Sequence, residues 1–465
     1  MIEAGIASRV CIDSRKVVAG CIFVAVRGEK HDGHIFLNDV VVRQASIAIV
    51  DKVWHKKCGV AFLDKIIMLA VNDTVAALQH LSMIYREKFS IPVVAIGGNS
   101  GKTTTKEILH HLLSSKYDTL ATEGNLNNHI GVPLTLLRLS KKTQIAVIEM
   151  GMNHKGEMAF LCDLVKPTCG LITNIGTAHA EFFSNEQDIA ESEGELFDYL
   201  IKTNGALFIN IDDENVVKQS IGATKETIKT YSMSSTADVQ MTDIACDLLN
   251  GNTRCRIRTC SEIEPFVFNL IGKHNAQNVL AAVTVGTGFD ISLNEMMLRL
   301  STFKMKEELK RSITKQMGDV FIINDSYNAN PESMNAVLDT IVKETEASHK
   351  GRKIAVLGDM LELGSRAEME HYRLGKKLEA GKWDIVLAIG TFAPLLCKEK
   401  KIAYSRAFEN TKEERNKLID ELTRLVQCGD IILFKGSRGM LMEELLNAFE
   451  SRCKELRHKE KNYVG

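Results

Sequence analysis

Long hydrophobic runs are what this chain of 465 residues most plainly lacks. No stretch approaches the ~18 uninterrupted apolar residues of a transmembrane helix, and Met1-Ile-Glu-Ala-Gly5 has neither the basic start nor the apolar core of a secretory signal. A cytoplasmic protein without membrane insertion is therefore expected. An excess of one charge is missing too. A formal net charge of −1 gives no general attraction to nucleic acid or acidic membranes, and the basic tail Arg452 to Lys461 contains Glu455 and Glu460, as a solvated helix end does. The 11 cysteines include no Cys-x-x-Cys pair; Cys21, Cys169 and Cys246 sit in or beside apolar runs, where cysteine acts as a small buried hydrophobe. Reduced thiols and no structural zinc are expected. The length exceeds what one core supports, so roughly two to four domains are expected.

What the chain does contain is organised around Ile91 to Ile108. The β-branched run Val93 to Ile96 has the composition of a buried parallel strand and stops at glycine. From Lys102 the apolar residues Ile108, Leu109, Leu112 and Leu113 recur at helical spacing, with Lys106, Glu107, His110 and His111 on the polar side. Strand, glycine loop and helix make a phosphate cradle: Gly98, Asn99, Ser100 and Gly101 can turn backbone N–H groups inward, and the helix N-terminus adds its own. Lys102 can reach terminal phosphates, and the hydroxyl of Thr103 or Thr104 can ligate Mg²⁺. The spacing is shorter than a full Gly-x-x-x-x-Gly-Lys-Thr, because Ile96 stands where the first glycine would be. The surrounding strand and helix favour a nucleotide phosphate site over an ordinary glycine turn with a surface lysine.

The alternation of strands and helices predicts an α/β fold in three domains: a small N-terminal α/β domain over 1–88, a central P-loop ATPase-like domain with a parallel sheet over 89–305, and a Rossmann-like C-terminal domain over 306–465. In the first, Asp13-Ser14-Arg15 and the Arg27 to His34 cluster, with Asp32 and His34, read on spacing alone as turn chemistry. A helix capped by Asn72 or Asp73 follows. In the second, Gln144 to Ile148 ends on Glu149, and Cys169 to Ile175 ends near His179. Ligands sit beyond the carboxyl ends of parallel strands. There Glu149 and His179 could serve a metal on ATP phosphates, although a lone carboxylate at a strand end is also a common helix cap. Asn127 and Asn128 lie in a polar loop. Asn275 and Asn278 open an alanine-rich helix, as caps or as partners of a base or ribose. The third has Asp325-Ser-Tyr-Asn-Ala-Asn330, Gly358-Asp-Met360 and Lys435-Gly-Ser-Arg438 at strand ends. This is a crevice suited to an amino acid or peptide carboxylate.

Taken together, Gly98-Asn-Ser-Gly-Lys-Thr103, Gly124-Asn-Leu-Asn-Asn128, Glu149-Met-Gly-Met-Asn-His154, Gly272-Lys-His-Asn275, Asp325-Ser-Tyr-Asn328, Gly358-Asp-Met-Leu-Glu-Leu-Gly364 and Lys435-Gly-Ser-Arg438 resemble the Mur ligases over nearly the whole chain. The Asp-Ser-Tyr-Asn and Gly-Asp-Met segments favour a dipeptide-adding member over those that add single amino acids. The resemblance implies ATP- and Mg²⁺-dependent amide ligation, in which a UDP-MurNAc-tripeptide carboxylate is phosphorylated and then attacked by the amine of D-Ala-D-Ala. It implies that Lys102 and Thr103 hold phosphate and Mg²⁺ and that Glu149 and His179 serve Mg²⁺. Asn127 and Asn128 would lie along the substrate, Asn275 and Asn278 near the nucleotide, and Asp325, Tyr327, Asn328 and Asn330 at the ATP and dipeptide crevice. Ser14, Arg15, Asp32 and His34 would take the UDP-sugar side. The family's carbamylated lysine is replaced here by Glu193, a carboxylate of the same charge on a shorter arm, and its Gly-Arg pair before the third domain by Lys310-Arg311 at best. A monomer is expected. The rival readings are a Mur ligase adding one amino acid, a folylpolyglutamate synthase, and a nucleotide-binding module that has lost its chemistry.

Overall fold

The computed structural model describes residues 9–28, 31–62, 64–176, 183, 185–248, 250–305, 313–348 and 351–463. Its strands form sheets of four, nine and six strands, taken in chain order. The first is wholly parallel and runs Val10–Cys11, Ile22–Val24, Ile47–Asp51, Ile67–Val71. The helix Thr74–Arg86 leads out of it, and Asp73 is its cap, accepting from the amides of Val75 and Ala76.

The central sheet runs in space Thr119–Ala121, Ile145–Glu149, Val93–Gly97, Cys169–Ile172, Ala206–Asn210, Ile228–Ser232, Val239–Asp247, Asn252–Arg258, Ile263–Phe268. Neighbours are parallel as far as Val239–Asp247, and the last two strands turn antiparallel. The expected central parallel sheet is therefore a mixed one, extended by an antiparallel ear. In Asn252–Arg258 the residues Thr253, Cys255 and Ile257 face the core while Arg254, Arg256 and Arg258 face solvent, the period-two pattern of a sheet covered on one face. Val93–Gly97 is buried at every position, as a strand with parallel neighbours and helices on both faces must be. One face packs on Lys102–Leu113, Lys273–Thr287 and Leu293–Thr302. The other packs on Thr74–Arg86, Glu157–Val165 and Glu186–Lys202. After Val93–Gly97 the chain fills one side of that strand first and the other side later, so the crevice at its carboxyl end is the switch point where α/β folds bind ligands.

The third sheet runs Ile313–Met317, Val320–Asp325, Ile431–Lys435, Lys353–Gly358, Ile385–Ile389, Tyr404–Phe408, with only the first pair antiparallel. Helices cover both faces, as in a Rossmann-like fold. Its helix Pro331–Ser348 packs against Lys273–Thr287 and Val239–Asp247 of the central unit. Among the described residues no helix is long and apolar enough to cross a membrane.

Candidate functional site

The strand Val93–Gly97 hands directly to the loop 98–101. Gly98 (φ +113°) and Gly101 (φ +86°) adopt left-handed conformations that L side chains rarely take. A Cβ at Gly98 would also overlap Thr173, and one at Gly101 would overlap the Asn278 amide. The loop is held from the next strand. Asn99 N donates to Asn174 O at 3.0 Å and Ser100 N to Asn174 Oδ1 at 3.1 Å. Asn174 Nδ2 and Thr173 Oγ1 both donate to Ser100 O, at 2.9 and 2.6 Å. Thr173 and Asn174 were absent from the expected site because the pattern ran the strand on to Ile175, whereas it ends at Ile172. Lys102 Nζ folds over the loop, donating to the carbonyls of Gly98 and Asn99. The side-chain amide of Asn99 is buried, and neither its Nδ2 nor its Oδ1 finds a hydrogen-bond partner among the described residues. A buried unsatisfied amide on a glycine loop at a helix N-terminus is what a cradle built for an anion offers.

Glu149, the last residue of its strand, faces the start of the same helix. Thr103 Oγ1 and Asn127 Nδ2 both donate to Glu149 Oε1 at 2.9 Å, while its buried Oε2 accepts no hydrogen bond among the described residues and is reached only at ion-pair distance by Lys106. A hydroxyl and a carboxylate in contact beside a phosphate loop suit Mg²⁺, which takes few protein oxygens and fills its sphere from phosphate and water. Among the described residues no cluster of three or more His, Cys, Asp or Glu is arranged to hold a metal ion. Thr104 is buried on the same turn. His179, Lys310 and Arg311 lie outside the described residues.

Lys106 and Glu107, expected on a polar helix face, are buried instead. The helix lies beneath the loops that follow the neighbouring strands, and Lys106 Nζ meets Glu107 Oε1 at 3.0 Å, Gly124 O at 3.2 Å and Glu149 Oε2 at 3.6 Å. Spacing alone could not distinguish a solvent-facing polar side from one facing a site. Glu193, on Glu186–Lys202, is buried under the loop, and its Oε2 accepts from Gly98 N at 2.7 Å. Burial pushes its carboxyl up from the ordinary range, against the opposing pull of Lys102 and the Gly98 amide.

Next to Asn174 opens a cavity of about 470 Å³, lined among others by Asp212, Asp213, Met233, Lys273 and Gln277. Its carboxylates come from the end of Ala206–Asn210 and its lysine from Lys273–Thr287. Asn278 lies against Gly101 of the phosphate loop, and its Oδ1 accepts from Thr105 Oγ1 on the helix at 3.4 Å. Asn275 is turned inward and donates to Ile271 O at 2.7 Å. Of the expected nucleotide pair, Asn278 is thus the one brought to the loop.

The C-terminal sheet closes the crevice. Asn330 Nδ2 donates to Ser100 Oγ at 2.8 Å, while Asn330 Oδ1 accepts from Ser333 N at the start of Pro331–Ser348. Lys435 Nζ donates to Asp325 Oδ2 at 2.5 Å and to Asn328 O at 3.1 Å. Arg438 lies over the Tyr327 ring at 5.3 Å. Among the substrate-side residues, Asn128 Oδ1 accepts from the amides of Ile130 and Gly131 and so starts the helix Gly131–Leu136. In the N-terminal sheet Arg15 is exposed and paired with Asp13 at 2.9 Å, and Ser14 is buried. His34 is also buried, with its Nδ1 2.5 Å from Asp32 Oδ1 and its Nε2 accepting from Asp51 N at 2.9 Å. Both His34 ring nitrogens are therefore committed within that sheet, whereas Arg15 and Asp32 keep exposed polar atoms.

Residues 96–286 match the Mur ligase middle domain and residues 311–438 the Mur ligase, glutamate ligase domain. The UDP-N-acetylmuramoyl-tripeptide--D-alanyl-D-alanine ligase of Bacillus subtilis (strain 168) is 33% identical over 437 residues, 94% of this chain and 92% of its own. A crystal structure of MurF from Acinetobacter baumannii is similar with a TM-score of 0.83 at 31% identity, covering 95% of this chain and 93% of that one. MurF from Thermotoga maritima in complex with ADP is similar with a TM-score of 0.80 at 28% identity, over 96% of this chain and 98% of that one.

Proposed function

The chain belongs to the Mur ligase family, and from that premise we propose that it joins D-alanyl-D-alanine to UDP-N-acetylmuramoyl-tripeptide, an ATP-dependent ligation in peptidoglycan precursor synthesis. The tripeptide carboxylate attacks the γ-phosphorus of ATP, giving an acyl phosphate and ADP. The amine of D-alanyl-D-alanine then attacks the acyl carbon, the C–N bond forms, and inorganic phosphate leaves with the former carboxylate oxygen.

Phosphoryl transfer asks chiefly for alignment and charge neutralisation, and this chain's residues supply both. Loop 98–101 and the helix N-terminus at Lys102 cradle the phosphates. Asn99 meets a phosphate oxygen with its amide, and Lys102 exchanges its carbonyl partners for phosphate. Thr103 and Glu149 would hold magnesium, with His179 as a further ligand, and the ion would supply neutralisation of phosphate charge there. Glu193 stands in for the family's carbamylated lysine as a carboxylate of the same charge. The cavity beside Asn174 receives the nucleoside. Arg15 and Asp32 face the UDP-sugar from the N-terminal sheet, with Ser14 and His34 shaping their loops. Asn127 and Asn128 lie along the tripeptide, and Asp325, Tyr327, Asn328 and Asn330 line the dipeptide side. The functional units are 1–88, 89–305 and 306–465. The enzyme is proposed to act as a monomer and to work in the cytoplasm, where ATP and UDP-linked precursors occur.

The observation that carries this reading is the phosphate loop, bonded on one side toward Glu149 through Thr103 and on the other to Asn330 through Ser100. Incubation with UDP-MurNAc-tripeptide, D-Ala-D-Ala and Mg-ATP should give UDP-MurNAc-pentapeptide and one phosphate per product. Lys102→Ala should lower turnover by about a thousandfold or more, since its ammonium is the charge folded over the phosphate loop. A product extended by a single amino acid, or no product at all, would overturn the assignment.

A further inference from the structure

Lys106 has no side-chain surface in contact with solvent, and packing does not require a cation there. A buried ammonium costs several kcal/mol unless its three N–H groups find acceptors, and an apolar side chain of similar volume often serves stability as well or better. Lys106 Nζ meets one group on each of three segments: it pairs with Glu107 Oε1 on its own helix at 3.0 Å, donates to Gly124 O on the loop that follows Thr119–Ala121, and stands at ion-pair distance, 3.6 Å, from Glu149 Oε2 at the end of Ile145–Glu149. It lies one helical turn beyond Lys102 and so on the same face of the helix. The loop that supplies Gly124 also supplies Asn127, whose amide donates to the other oxygen of Glu149. The loop is therefore tied to Glu149 twice, directly by Asn127 and through the ammonium by Gly124.

We infer that Lys106 is a positioning residue that locks the 124–128 loop to Glu149, so that the tripeptide-bearing loop and the magnesium carboxylate keep one fixed geometry. The inference rests on the roles given to Asn127, Asn128 and Glu149 under the proposed function, and it adds a residue to which those roles assign nothing. A lysine that served the phosphates would act on nucleotide affinity. One that clamps the loop acts on the UDP-MurNAc-tripeptide and on the loop's own backbone.

The test uses the full chain in metal-free buffer, with Lys106→Met removing the charge at similar volume. Amides of residues 122–131 should exchange with deuterium about tenfold faster than in the wild type. Calorimetric affinity for UDP-MurNAc-tripeptide should fall about tenfold, as expected for a lost charge-assisted contact. Affinity for ADP should stay within about twofold. Unchanged loop exchange with unchanged tripeptide affinity would overturn the inference, and so would an equal loss of ADP affinity. Should Lys106→Met fail to fold by circular dichroism, Asn127→Ala cuts the other tie and is read by loop exchange, with ADP affinity as the control, since Asn127 itself is placed along the tripeptide. Wild-type loop exchange in that variant would then be the overturning result. The magnesium role of Glu149 is checked separately by the Mg²⁺ dependence of ADP binding in Glu149→Gln. Wild-type dependence there would remove the metal assignment while leaving the metal-free result for Lys106 standing.

Discussion

At the scale of single residues, Glu193 couples stability to chemistry. It is 1% exposed, with the Gly98 amide donating to Oε2, and burial raises the pKa of its carboxyl. A carboxyl whose folded pKa lies above its unfolded value of ~4.3 favours the native state fully below that value, and the contribution is lost as pH rises through the folded pKa. At neutral pH the wild type therefore bears the free-energy cost of burying this group. Glu193→Gln keeps an acceptor for Gly98 N–H without the charge. It should melt higher than the wild type at pH 7, with the gap closing as the pH falls toward ~4.3, while ligase activity drops because the carboxylate is gone. Wild-type activity should also be indifferent to added bicarbonate, since a glutamate needs no CO₂. Melting scans over pH and a bicarbonate titration check both halves; a lower melting point for Glu193→Gln at pH 7, or bicarbonate stimulation, would sink this account. The placement of Glu193 was legible because it falls in a recognisable sequence window. That of Lys106 was not, because helical spacing marks a polar side without saying what that side meets.

At the scale of elements, the strand–loop–helix unit was readable before any coordinates, because Val93 to Ile96, the glycines and Lys102-Thr103-Thr104 each dictate their own local geometry. The antiparallel ear was passed over although its signal is present. Thr253, Cys255 and Ile257 alternate with three arginines, but a hairpin extension leaves no mark on a βα alternation. The turn itself gives a sharp prediction. Gly101 holds φ +86°, and a methyl group there would strike the Asn278 side chain. Gly101→Ala should cost about 1–3 kcal/mol of stability from backbone strain and displace Asn278 from the loop. ADP affinity should fall with it. Thermal melts and ADP calorimetry would show both. A variant as stable as the wild type with unaltered ADP affinity would mean that the loop relaxes freely and that its observed shape is not a binding requirement.

At the scale of the whole molecule, the question is how the C-terminal sheet senses what the central sheet holds. Residue spacing placed Asn330 at a crevice but could not say that it crosses to another sheet, since a contact 230 residues apart in sequence leaves no local trace. Its Nδ2 donates to Ser100 Oγ inside the phosphate loop, while its Oδ1 caps Pro331–Ser348 through Ser333 N. If the loop holds the phosphates as proposed, this bond couples the position of the C-terminal unit to the nucleotide site. Ser100→Ala is the cleaner probe, because it removes the hydroxyl and leaves both the loop amide and the Asn330 cap. A neutral hydrogen bond is worth about 0.5–1.5 kcal/mol, so kcat/KM for ATP should fall roughly two- to tenfold. Asn330→Ala should show the same kinetic loss plus a lower melting point from the damaged cap. If the two side chains act only through each other, the double variant should be kinetically no worse than Asn330→Ala alone. Fully additive losses in kcat/KM would show that Asn330 and Ser100 serve the reaction separately, and that the C-terminal unit reads the nucleotide by some other contact.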